Sequence, residues 1–303
     1  MRLGYPCINL SLSCRSSRTF RLASFSAERF RATVISNLRC LSEILSLNAA
    51  SGLLFFRITS DLVPFASHPF NKVPWQDEFR TEFEKIGFFI KKELMRVSMH
   101  PGQFVVLNSR DEAVVGRSIA ELVYHAEVLD LLCTDRDSKI QIHIGGVYGD
   151  KAASIERFIE RARGLPSKVR RRLVIENDER LYSLGDCLDI HNKSGLPVVL
   201  DVFHHSLNHN GESVREAILL AEKTWNKQDG PLIIDYSSQE MGRRPGTHAQ
   251  TIVPRHFTAF LGQIPVRNCD IMLEIKDKDR SALKVLPLLS AHVISAKTSR
   301  AIA

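Results

Sequence analysis

Six acidic or imidazole residues each close a short, mostly apolar run, and this pattern limits what the chain can fold into. His100 follows Arg-Val-Ser-Met, His143 follows Lys-Ile-Gln-Ile, and Glu176 follows Leu-Val-Ile. Asp201 follows Pro-Val-Val-Leu, Asp235 follows Leu-Ile-Ile, and Glu274 follows Ile-Met-Leu. The intervals between them are 43, 33, 25, 34 and 39 residues. Runs this apolar read as parallel strands buried on both faces. The intervals suit a strand plus its crossover helix. In a closed barrel the C-terminal strand ends form one surface, and the chemistry of such barrels is found there. A lone strand-end aspartate is often only a helix cap. Six such residues in register point instead to carboxylate and imidazole ligands converging on divalent metal.

The chain has 303 residues, and barrels of alternating strand and helix need about 250. The reading is therefore an α/β protein, a TIM-type (β/α)8 barrel, with residues 1–303 as a single domain. Strands are expected at residues 2–6, 53–58, 96–99, 139–144, 173–175, 198–202, 232–234 and 271–275. Helices are expected near 26–52, 76–92, 111–132, 151–163, 184–193, 213–224, 255–261 and 281–289. Ser26 caps the first of these helices and Gly52 ends it. The basic stretch Lys168–Arg172 reads as a solvated loop. No Gly-x-Gly-x-x-Gly follows the first strand, so a dinucleotide fold has no support.

The net charge of +7 suits a polyanionic partner, although a solvated surface with extra arginines gives the same balance. The six cysteines (Cys7, Cys14, Cys40, Cys133, Cys187, Cys269) form no Cys-x-x-Cys pair. They read as free thiols in a reducing compartment. Met1–Leu12 has no leader pattern, and no apolar run nears the roughly 20 residues that span a bilayer. The expectation is a soluble, cytoplasmic, nucleoid-associated monomer with no membrane partner.

The loops after the strands collect six of the eleven histidines: His68, His100, His143, His204, His205 and His248. They also carry distinctive segments. These are Pro64-Phe65-Ala66-Ser67-His68-Pro69, Ser98-Met99-His100-Pro101-Gly102-Gln103, His143-Ile144-Gly145-Gly146, Glu176-Asn177-Asp178-Glu179-Arg180, Asp201-Val202-Phe203-His204-His205 and Arg244-Pro245-Gly246-Thr247-His248. With Arg2-Leu3-Gly4-Tyr5-Pro6-Cys7 at the start, they follow one another in the order found in the UV damage endonuclease family, and the chain resembles that family over residues 2–276.

The resemblance implies nicking of damaged double-stranded DNA on the 5′ side of a lesion, with two or three divalent ions, Mn2+ foremost and Zn2+ or Co2+ as alternatives. It implies one metal on His100, His143 and Glu176, a second on Glu176, Asp201, Asp235 and Glu274, and a third on His204 and His248. It places His68 near the scissile phosphate, with Glu176 and His100 also catalytic. It makes Gln103 and Phe104 a probe pair entering the duplex, and lines the lesion pocket with Tyr5 and Asn9. Ile233-Ile234-Asp235 stands where many relatives have Lys-x-His, which would weaken the third metal.

Read from the residues alone, Arg243 and Arg244 are phosphate contacts on the catalytic face. His205 supports a neighbouring ligand or is structural, and His125 and His191, inside helices, are surface or core residues. A metal-dependent sugar isomerase or epimerase would place similar residues at strand ends, and a non-catalytic damage binder would keep the fold. The basic balance and the Arg-Arg-Pro-Gly loop favour DNA over a neutral sugar.

Overall fold

The computed structural model describes residues 1–265 and 268–301. Eight parallel strands close into a barrel in sequence order. They are β1 (Leu3–Pro6), β2 (Phe55–Ile58), β3 (Arg96–Met99), β4 (Ile140–Ile142), β5 (Leu173–Glu176), β6 (Val198–Asp201), β7 (Leu232–Tyr236) and β8 (Cys269–Leu273). Between and after them run α1 (Ala27–Ser51), α2 (Trp75–Glu78), α3 (Arg80–Lys92), α4 (Glu112–Leu131), α5 (Lys151–Gly164), α6 (Ser167–Arg170), α7 (Leu184–Ser194), α8 (Val202–Leu207), α9 (Val214–Glu222), α10 (Pro254–Leu261) and α11 (Asp279–Ala301). Among the described residues, no helix is long and apolar enough to cross a membrane.

The pleat divides the strand residues into two cores. Outward-facing residues such as Phe56, Val97, Ile175, Leu200 and Ile234 join the helices in the main core. The alternate residues Phe55, Val174, Val199, Ile233 and Met272 form a separate apolar layer inside the barrel. Below it, toward the N-terminal strand ends, lies a charged layer. There Arg96 pairs with Asp270, and Lys139 pairs with Asp229. The Arg96 guanidinium stacks on Phe55 and Trp225.

Because strand side chains alternate, the inward positions two residues beyond the apolar layer are Arg57, Glu176, Asp201, Asp235 and Glu274. The barrel's register thus lifts one ring of polar residues onto the C-terminal face. Gly4 lets β1 approach β2 to close this ring, since a Cβ there would fall 2.2 Å from the Phe55 carbonyl oxygen.

Local signals behave as expected at α1, where Ser26 accepts from the Arg29 N–H and Gly52 takes the left-handed conformation. Elsewhere the structure departs from the sequence reading. The helix expected over 76–92 breaks at Phe79 into α2 and α3. The basic stretch is the short helix α6 and not a loop, and Arg172 beyond it is buried against Asp130, Asp135 and Ser138. The cysteines are not all free: Cys14 and Cys40 form a disulfide that ties the β1–α1 loop to α1. No spacing rule signals that bond, because it depends on how the loop lies against the helix.

His125 is a core residue of α4. Its Nδ1 lies 2.7 Å from the Glu121 carbonyl and its Nε2 2.9 Å from Ser60 Oγ. Ser60 Oγ in turn lies 3.0 Å from the His100 carbonyl, so α4 braces the end of β3. Burial pushes His125 from its ordinary 6.5 down to about 4. Between these values the unfolded chain binds a proton that the folded chain does not, so stability is lost as pH falls from 6.5 toward 4. This group alone should remove about 3 kcal/mol by pH 4. Denaturant melts of the wild type and His125→Gln from pH 7 to pH 4 should show the smaller decline in the variant.

Candidate metal centre

Glu176, at the end of β5, is the hub. Its Oε1 lies 2.9 Å from His143 Nε2 and its Oε2 3.5 Å from His100 Nε2. The ligand atoms of His100, His143 and Glu176 all lie within 4.8 Å of one another. Burial works against the Glu176 charge, but His143 and His100 hold its carboxyl well below the usual range. Burial pulls His143 down, and Glu176 more than reverses this, raising it to about 9. His143 therefore carries positive charge beside the carboxylate. His100 Nδ1 lies 3.0 Å from the Pro101 carbonyl, which turns its Nε2 toward Glu176.

Asp201, at the end of β6, uses one oxygen as a cap: Oδ1 accepts from the Phe203 and His204 N–H groups of α8. Its Oδ2 is buried without a hydrogen-bond partner, as is Oε2 of Glu176. Burial raises the Asp201 carboxyl to about 7, with Glu274, Asp235 and Glu176 adding to the effect and His204 opposing it. Two buried carboxylate oxygens without hydrogen bonds, each facing an imidazole nitrogen, form a donor set that fits a divalent cation.

His204 and His248 complete an imidazole arc, with ring centroids 6.0 Å apart and His143 6.1 Å from His204. His204 Nδ1 lies 3.1 Å from the Asn177 carbonyl, and His248 Nδ1 lies 2.9 Å from the Glu274 carbonyl. Backbone partners of this kind fix ring orientation and leave Nε2 for a ligand. Asn177 also clamps β5 to β6, donating to the Asp201 carbonyl and accepting from its N–H, both at 3.0 Å.

Asp235 and Glu274 sit differently. Asp235 is fully buried, and both its oxygens accept from Arg57 Nη2, at 2.8 and 3.0 Å. Gln141 Nε2 donates to Oδ2 at 2.6 Å. Arg57 Nη1 pairs with Glu274. Burial opposes the Glu274 charge, but Arg57 overrides it and holds the carboxyl down at about 2. The sequence reading assigned no role to Arg57, Gln141 or Asn177. The available signal was a lone arginine inside the apolar run Leu53–Ile58. Ile233, by contrast, belongs to the inner apolar layer two residues below Asp235.

These groups line a cavity of about 660 Å³ that includes Arg57, His100, Gln103, His143, Glu176, His204, Arg244, His248 and Glu274. Lys276 and Lys278 line it as well, cations the sequence reading passed over. Phe104 is 62 % exposed next to Gln103. Arg243 and Arg244 separate: Arg244 faces the cavity, whereas Arg243 lines a neighbouring groove with Phe203 and Phe260.

Three of the expected residues lie elsewhere. His68 is exposed in the β2–α2 loop, accepting from the Phe70 N–H, and does not line the cavity. Tyr5 faces outward from β1 into the main core, where its hydroxyl donates to Asn48 at 2.7 Å and accepts from Asn9 at 2.8 Å. Asn9 is itself buried and shapes the following turn through the Ser11 and Leu12 N–H groups. An outward position on a barrel strand packs against helices, which removes Tyr5 from the cavity in this conformation.

The family model described as UV-endonuclease UvdE matches residues 1–302. A UV DNA damage endonuclease of Clostridium perfringens is 42% identical over 288 residues, covering 94% of this chain and 70% of the relative. The crystal structure of SacUVDE superposes with a TM-score of 0.92 at 47% identity, covering 96% of this chain and 98% of that one. A D-psicose 3-epimerase matches with a TM-score of 0.56 at 17% identity, covering 84% of this chain and 93% of that one, and shows the barrel fold alone.

Proposed function

The chain belongs to the UV-endonuclease UvdE family, and from that premise we propose that it hydrolyses the phosphodiester immediately 5′ of UV lesions in duplex DNA. The lesions are pyrimidine dimers and related photoproducts, with abasic sites as a further substrate. The enzyme works as a monomer on chromosomal DNA, in one domain spanning 1–303. The observation that carries this reading is the joining of the His100–His143–Glu176 cluster to three cations, Arg244, Lys276 and Lys278, in one cavity. Cations beside a carboxylate-rich centre suit a phosphodiester rather than a neutral sugar.

Two or three divalent ions, Mn2+ foremost, would be held by His100, His143, Glu176, Asp201, His204 and His248. Bound there, such ions supply an activated water and neutralise charge on the leaving 3′ oxygen. The chain's own residues do the rest. Arg244, Lys276 and Lys278 draw the backbone phosphate into the cavity. Glu176 orients the two imidazoles, and Asn177 keeps the β5 and β6 ends in register. The test is nicking of irradiated supercoiled plasmid by purified protein, with and without EDTA and added Mn2+. Nicking restricted to irradiated plasmid and abolished by EDTA is expected, and metal-independent or damage-blind nicking would sink the proposal.

Two further results are expected. Gln103→Ala with Phe104→Ala should weaken incision of stable lesions most. Extruding a lesion costs a few kcal/mol of stacking, which an aromatic wedge partly offsets. Equal losses on abasic and pyrimidine-dimer duplexes would argue against a wedge. Arg244→Ala should flatten the slope of log affinity against log salt by about 0.9, the value for one lost phosphate contact. Arg243→Ala should leave that slope nearly unchanged, because Arg243 faces the other groove. Binding to matched duplexes across a salt series reads both slopes.

A further inference from the structure

We propose that Arg57 is a built-in cation of this centre, filling with its guanidinium the position between Asp235 and Glu274 where a further divalent ion would otherwise sit. The inference rests on the metal-centre reading above and divides that centre into two halves.

Register gives the first reason. Phe55, Val174, Val199, Ile233 and Met272 share the inner apolar layer. Two residues farther along, their strands present Arg57, Glu176, Asp201, Asp235 and Glu274. Arg57 is thus the β2 member of the same ring, one cation among four carboxylates.

Saturation gives the second. Asp235 Oδ1 accepts from Arg57, and Oδ2 accepts from both Arg57 and Gln141. Gln141 is held in turn, its Oε1 accepting from Arg57 Nη2 at 3.0 Å. No oxygen of Asp235 is left without a partner. Glu176 Oε2 and Asp201 Oδ2 are buried without a hydrogen bond, each with only an imidazole nitrogen nearby, at 3.5 and 3.4 Å. The ring therefore has a metal-ready half on β5 and β6 and a half on β7 and β8 already paired with a cation of the protein. A guanidinium cannot be chelated away and stays charged at any working pH. Arg57 acts as a positioning residue, keeping Glu274 aimed at the cavity while Asp235 serves as its anchor and not as a metal ligand.

The deciding experiment uses wild-type crystals soaked in MnCl2 and anomalous scattering. The expected map has Mn2+ on His100, His143 and Glu176, with no peak coordinated by Asp235 and Arg57 still paired. A peak coordinated by Asp235, with Arg57 displaced, overturns the inference while leaving the nicking proposal intact. No peak anywhere on the ring overturns it together with the metal dependence of that proposal. Metal content after loading and desalting gives a second readout. Asp235→Asn should keep the wild-type content, and Arg57→Gln should gain about one ion per chain because the freed carboxylates become ligands. A lost equivalent in Asp235→Asn, or no gain in folded Arg57→Gln, counts against the inference. Should Arg57→Gln fail to fold, the crystal and Asp235→Asn decide.

Discussion

Glu176→Gln is expected to lower nicking of irradiated DNA by about 10³-fold or more, the factor carried by roughly 4 kcal/mol of lost charge stabilisation. The substitution keeps the side chain's shape, removes its charge and replaces one acceptor oxygen with an amide donor. Glu176 is buried between His100 and His143, and Asp201 across the β5–β6 edge is held by Asn177 rather than by Glu176. The barrel should therefore stay folded. What disappears is the carboxylate that raises His143 to about 9 and offers an open oxygen to metal. Single-turnover nicking, circular dichroism and metal content measured on one preparation separate these effects. Near wild-type nicking by a folded Glu176→Gln protein would show that the cluster is not the catalytic centre.

Arg96→Met should give the largest loss of stability, about 3 kcal/mol or more, as expected when one partner of a buried ion pair is removed. Arg96 is fully buried at the N-terminal end of the barrel. It donates to Asp270 at 3.1 Å and to the carbonyls of Pro231 at 2.8 Å and Asp137 at 3.0 Å. The loss should stay near the lower end of the range, because Arg2 also pairs with Asp270 at 3.1 Å. Denaturant melts read the change. The apolar layer of Phe55, Val174, Val199, Ile233 and Met272 separates Arg96 from the catalytic face. Nicking per folded molecule should accordingly match the wild type, and a selective loss of activity would mean that the lower layer communicates with the site.

Much of this was legible in the sequence because it depends on short-range periodicity. Runs such as Val198–Leu200 and Leu232–Ile234 read as strands covered on both faces, and the spacing between them leaves room for a helix each time. Ser26 and Gly52 mark the limits of α1 because capping involves neighbours in the chain. Alternation then carries Glu176, Asp201, Asp235 and Glu274 to one end of the barrel, and the same reasoning places His100 and His143 beside them.

Which of those residues face open space and which are already paired was decided only by closure of the barrel. Arg57 and Asp235 are 178 residues apart, and no local pattern says that the side chain from β2 crosses to β7. Tyr5 and Asn9 suit a pocket by motif, but the outward pleat of β1 buries Tyr5 against Asn48, and Asn9, beyond the strand, is buried donating to the Tyr5 hydroxyl. Arg243 and Arg244 are adjacent in sequence and face different grooves. The Cys14–Cys40 bond likewise depends on a loop folding back on α1. Sequence determined the elements and the ring of strand-end residues, since strand pleat and helix length are local properties. Tertiary structure alone decided the charge pairing within that ring, because a buried carboxylate takes whichever cation the closed barrel brings within reach.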